Sequence, residues 1–69
     1  MFDPKDYGIS IRLKYINDEP LYMATVEEFF GVSVFESTFD SCYELMLKAI
    51  NVLKQVSDRD GLSFPLPNR

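Results

Sequence analysis

The sequence predicts an α+β fold in which an antiparallel sheet of order β-β-β-α-β carries one long helix on one face. Three observations carry this. Tyr7 to Ile16, "YGISIRLKYI", alternates between apolar and polar residues, the period of a half-buried strand. Apolar residues recur at helical spacing from Phe39 to about Val56: Phe39, Cys42, Tyr43, Met46, Ala49, Ile50, Leu53 and Val56. Between these two runs lie two shorter stretches rich in strand formers, separated by turn residues.

The elements follow in chain order. Met1 to Asp6 is polar, holds a proline and reads as a loose lead-in. In the first strand, read as half-buried, Ile9, Ile11, Leu13 and Tyr15 face one way, and Ser10, Arg12 and Lys14 face the other. "NDEP" at Asn17 to Pro20 is turn chemistry. Leu21 to Val26, "LYMATV", is a second strand paired antiparallel with the first. "EEFFG", Glu27 to Gly31, reads as a turn, and Val32 to Glu36, "VSVFE", as a third strand with Val32 and Val34 inward. Ser37 and Thr38 are candidate helix caps. Asp40 follows in the first turn, where a carboxylate suits the helix dipole. "SDRDG" ends the helix, with Gly61 as its left-handed residue. The tail "LSFPLPNR" alternates Phe64 and Leu66 with Pro65 and Pro67. Both prolines remove donors from the same edge, so the tail reads as a terminal edge strand or as a proline-rich loop end.

Composition narrows the function classes. The 69 residues form a single domain, residues 1–69. A chain this short buries only about 60 % of its unfolded surface. Cys42 is alone, which excludes an internal disulfide, and with no His and one Cys the usual four-ligand zinc site is not expected. Self-association remains as a source of extra burial. Seven Lys and Arg stand against eleven Asp and Glu, a net charge of −4. That disfavours direct nucleic-acid binding, where a basic surface supplies most of the affinity, and suits a basic protein partner. No apolar run approaches the ~20 residues of a membrane span. "MFDPKDYG" has no signal-peptide pattern. With a single unpaired cysteine, these features predict a cytoplasmic protein.

Chemistry finds little purchase. Ser–His–Asp and Cys–His mechanisms lack a base, the three glycines are isolated, and Cys42 lies on the apolar arc of the helix as a small core residue. Glu36, Asp40 and Glu44 are spaced by four and could line the helix entry. A solvated strip is the plainer account, since Glu44 and Lys48 form a favourable i, i+4 pair. No catalytic residue, metal or cofactor is therefore expected. Surfaces are more informative. With Leu45 and Val52 on one flank and Leu47 on the other, the apolar arc of the helix is ~220° wide, more than an ordinary surface helix needs. Tyr22, Phe29, Phe30 and Phe35 cluster around the second turn and the outward sheet face, with one of Phe29 and Phe30 expected to plug the core. Together with Phe64, these residues are the expected self-association or partner interface. The simplest oligomer is a dimer.

The chain also resembles the HicB family. Gly31 matches the family glycine, Thr38 the threonine of the turn into the helix, and Asp40 the first helix acid. Ala49 and Ile50 match an Ala–Ile later in the helix, and Pro65 and Pro67 the terminal Pro-x-Pro. The resemblance runs from Tyr7 to Pro67. It departs at Val32 for a cysteine, Glu36 for a glycine, Ser37 for an aspartate, and Ser41 and Cys42 for Glu–Ala. The resemblance implies a partial ribonuclease-H-like fold without its catalytic acids. It also implies an antitoxin that binds and blocks a HicA-type toxin, a small basic protein that cleaves messenger RNA. Most relatives add a DNA-binding domain that represses their own operon. No such domain follows in this sequence, so direct autorepression is not expected. A solitary, oligomeric HicB-like protein without a toxin is the alternative.

Overall fold

The structure, a computed structural model, describes residues 2–68. A single turn of 3-10 helix, Pro4–Asp6, precedes strands β1 (Ile9–Ile16), β2 (Glu19–Val26) and β3 (Phe29–Glu36), and then helix α1 (Phe39–Asp60). The strands form one antiparallel sheet in the order β1-β2-β3, and α1 packs across it, mainly over β2 and β3. The α+β class, the antiparallel sheet and the single long helix are as the sequence predicts.

The β1–β2 connection is tighter than "NDEP" suggests. Only Asn17 and Asp18 lie outside the strands, both at positive φ, 52° and 65°. That is the two-residue hairpin turn whose twist matches the flanking strands. It fixes the register, with Ile11 opposite Ala24 and Leu13 opposite Tyr22. Pro20 therefore sits inside β2, opposite Tyr15. It is tolerated because β3 ends at Glu36, opposite Tyr22, so nothing pairs with Pro20 on its other side.

The same geometry corrects the burial of β1. Its alternating residues do share a face, but only Ile9 and Ile11 pack against the core. Leu13 is exposed and Tyr15 is 70 % exposed. The helix starts level with the end of β3, so the last three pairs of the hairpin project beyond any cover, by about 10 Å at the rise of a strand. The molecule is accordingly elongated, 42 × 24 × 19 Å.

β3 begins earlier than expected. Phe29 and Phe30 belong to it, and the turn shrinks to Glu27 and Glu28. The register shifts between Thr25 and Val26, and Gly31 takes φ 84° within this bulge, a conformation costly for any residue with a Cβ.

α1 runs four residues past Val56. Its cap is Thr38, whose hydroxyl accepts from Ser41 N–H at 3.1 Å; Ser37 lies outside the helix and does not cap it. Asp40 lies in the first turn and Gly61, at φ 69°, closes the other end. There Leu62 N–H reaches Ser57 C=O at 2.9 Å, which satisfies an end carbonyl. The fully covered side chains are Cys42, Met46 and Ile50 from α1 and Ala24 from β2, with Tyr7 and Val26 nearly so.

The tail forms no strand. Residues 62–68 are irregular and fold back as a strap. With Pro65 and Pro67 unable to donate, side chains rather than a ladder hold it. Phe64 packs with Phe29 (5.1 Å between centroids), Phe2 (5.7 Å) and Tyr7 (6.0 Å). The lead-in is likewise structured: Asp3 caps the 3-10 turn by accepting from Lys5 N–H at 2.9 Å, and Phe2 joins the aromatic cluster.

Candidate interaction surfaces

The expected interface residues divide into two groups. Tyr22, Phe29 and Phe64 are engaged within the chain. Tyr22 does not lie on the outward sheet face: its register places it beside Ala24, over the core, where its ring meets Phe39 edge-on at 6.0 Å. The outward neighbour of Phe35 is instead Met23. Phe29 stacks on Tyr7 at 5.4 Å, so it is the member of the pair that plugs the core. Phe30, Phe35, Leu45 and Val52 remain exposed. They fall on three surfaces rather than one.

Phe30 is the most prominent. Its side chain is fully exposed, at 106 % of the reference value, because the bulge at Gly31 turns it out of the sheet. It follows Glu27 and Glu28 in the chain. The Glu28 carboxylate is held in place: Oε1 accepts from Gly8 N–H at 2.9 Å and Oε2 from Asn68 N–H at 2.8 Å. One side chain thus ties the start of β1, the β2–β3 turn and the tail together. Desolvation pushes this carboxyl upward, but the N–H groups of Asn68, Gly8 and Glu28 itself outweigh it and hold the group below its ordinary value. A second tie is Tyr7, whose hydroxyl donates to Pro65 C=O at 2.6 Å. Burial and the nearby Glu28 charge raise its pKa.

Leu45 and Val52, 37 % and 56 % exposed, lie on the flank of α1 above β3. With Val32, Val34, Ala49 and Leu53 they line an open apolar groove of about 430 Å³ along the free edge of the sheet. The wide apolar arc thus has a structural counterpart: the sheet covers Cys42, Met46 and Ile50 and leaves this flank bare.

Phe35 occupies the third surface, opposite Met23 on the face of the sheet away from α1.

The polar candidates do not converge. Glu36, Glu44 and Lys48 border a shallow hollow with Ser41 and Leu45. No group of three or more His, Cys, Asp or Glu side chains is placed to hold a metal ion among the described residues. Their ion pairs are Lys54 with Asp58 and Arg59 with Asp60, not the expected Glu44–Lys48 pair. Cys42 is fully covered and its S–H points to Tyr22 C=O at 3.4 Å. Burial, then the Glu36 charge, raise its pKa, the opposite of what a reactive thiol needs. Among the described residues no helix is long and apolar enough to cross a membrane.

Sequence reasoning missed the Glu28 clamp and the Phe2–Tyr7–Phe29–Phe64 cluster. "DP" at Asp3–Pro4, a cap followed by proline at the first helical position, was a usable sign of an ordered N-terminus. No family model, curated protein or solved structure matches the chain, so the resemblance carried by Gly31, Thr38, Asp40, Ala49, Ile50, Pro65 and Pro67 rests on those residues alone.

Proposed function

We propose that this chain is a non-catalytic, cytoplasmic protein-binding module of the HicB antitoxin type, which inhibits a small basic RNA-cleaving toxin by occupying it. The observation that carries this reading is Phe30. A fully exposed aromatic side chain beside a glycine bulge, following Glu27 and Glu28 in the chain, is the anchor in this reading. Aromatic anchors contribute most where they enter a partner's pocket, and acids around them favour a basic partner. The net charge of −4 acts in the same direction.

The test is to look for a small basic protein encoded beside this one and, where there is one, to measure its binding to this chain. The account expects a stoichiometric complex that Phe30→Ala weakens by about tenfold to a hundredfold, the usual cost of truncating an anchor. A complex indifferent to Phe30→Ala would remove Phe30 as the anchor. A second reading, an oligomeric HicB-like protein acting as a scaffold or regulator without a toxin, is favoured by the bare flank at Leu45 and Val52. It takes precedence if no basic neighbour is encoded.

A further inference from the structure

The two free edges of the sheet are guarded differently. β1 carries Arg12 and Lys14, charges of the kind that keep edges from pairing. β3 carries no charge and no proline from Phe29 to Phe35, "FFGVSVF". An uncharged seven-residue edge left open is a template for another strand, and the groove lined by Val32, Val34, Leu45 and Val52 lies directly above it. We propose that β3 pairs antiparallel with β3 of a second copy of this chain, joining two three-stranded sheets into one of six strands and bringing the Leu45–Val52 flanks of the two helices together across a two-fold axis.

Three features select a second copy as the occupant. The first is geometry. With strands about 4.8 Å apart, a helix lying over β2 and β3 stands about 10–14 Å from its two-fold mate. Helices touch at about 8–10 Å, and Leu45 and Val52 from both sides fill the difference. Ala49, between them, leaves room at the axis.

The second is charge. Two chains of −4 repel, but β3 from Phe29 to Phe35 holds none of that charge, and the one charged residue lining the groove, Lys48, is basic. Glu36, at one end of β3, is carried far from its two-fold mate when the pairing centres near Ser33. The third is area. A standard interface takes about 800 Å² per partner, about a sixth of the 5078 Å² surface of this chain. The β3 flank is about 26 Å long and two layers, about 20 Å, deep. That is about 500 Å² in projection, and side-chain relief raises its accessible area toward the standard size.

The inference rests on the reading that the chain acts through surfaces, but its test needs no toxin. The purified chain is weighed by light scattering and sedimentation across a concentration series, and Ser33→Cys is compared with Ser10→Cys on β1 for oxidative cross-linking between copies. The expected results are twice the 8.0 kDa mass, rapid cross-linking through residue 33 but not residue 10, and at least tenfold weaker association for Ser33→Lys and Leu45→Glu with unchanged circular dichroism. A chain that stays monomeric up to about 1 mM, or a dimer that both substitutions leave intact, overturns the inference. These readouts contain no basic partner, so their failure is distinguishable from a failure of Phe30 to engage one, although Phe30 falls opposite Glu36 of the second copy in this register.

Discussion

Replacing Ile50 by alanine probes the packing on which every surface assignment depends. Ile50 is fully covered, on the turn of α1 after Met46 and facing the sheet. The change deletes three carbons. At about 0.8 kcal/mol for each, the transfer term is about 2.4 kcal/mol. The unfilled space adds to it, for a total of about 3–4 kcal/mol. A domain of 69 residues has about 3.5–10 kcal/mol in all, so the variant should sit near the limit of folding. Urea melts followed by circular dichroism measure this, at one fixed low protein concentration because self-association would add a concentration-dependent term. Val52→Ala is the companion: its side chain is more than half exposed and should cost under about 0.5 kcal/mol in the monomer. An Ile50→Ala loss below about 1 kcal/mol, or a Val52→Ala loss that equals it, would mean that α1 presents a different face to the sheet.

Further expectations concern the turns, the tail and chemistry. Ile11→Ala should cost about 1–2 kcal/mol, less than Ile50→Ala, because β1 is a half-covered edge; equal losses in urea melts would contradict that. Glu28→Gln should loosen the tail. Because the folded carboxyl lies below its ordinary value near 4.5, its stabilisation is in place above that value and lost as pH falls through the lowered one. The gap in melting temperature between parent and variant should thus be widest near neutrality and close in acid; a gap independent of pH would contradict the clamp. Asp18→Gly should stabilise by about 0.5–1 kcal/mol by relieving a positive φ in the hairpin turn, as read by thermal melts, and a loss would contradict the turn geometry. Gly8→Ala should destabilise, since a Cβ there would meet the Glu27 Cβ at 3.1 Å and a Glu27 carboxylate oxygen at 2.8 Å; an unchanged melting temperature would show that Glu27 moves aside at no cost. The purified chain should cleave neither single- nor double-stranded RNA with magnesium or manganese, and cleavage abolished by replacing Glu36 or Asp40 would refute the non-catalytic account.

The parts of the fold legible in the sequence are those set by local periodicity. The alternation at Ile9 and Ile11, the helical recurrence through Cys42, Met46 and Ile50, the cap at Thr38 and the stop at Gly61 all depend on residues within a turn or two of each other. What was not legible depends on coverage and parity. Leu13 and Tyr15 alternate as well as Ile9 and Ile11 do, but the end of β3 decides that no helix covers them. Tyr22 stands on the face of Leu13 and Tyr15 whether the turn is read as two residues or as four, but "LYMATV" is apolar at both parities, so only the register, with Ile11 opposite Ala24, shows which of its faces meets the helix. The tail and the lead-in meet through Tyr7–Pro65 and Glu28–Asn68, contacts between distant segments with no local signature. Among the interface candidates, the bare flank at Leu45 and Val52 was readable because a wide apolar arc is a property of one helix. The inward turn of Phe29 and the outward turn of Phe30 were not, because the bulge at Gly31 sets them.

The most direct measurement of the central claim, where a small basic protein is encoded beside this chain, is a titration of this chain into that protein, with RNA cleavage as the readout. The account predicts that cleavage falls to zero at a fixed stoichiometric ratio, and that Phe30→Ala requires a large excess to reach the same point. Cleavage that continues undiminished with this chain in excess would contradict it.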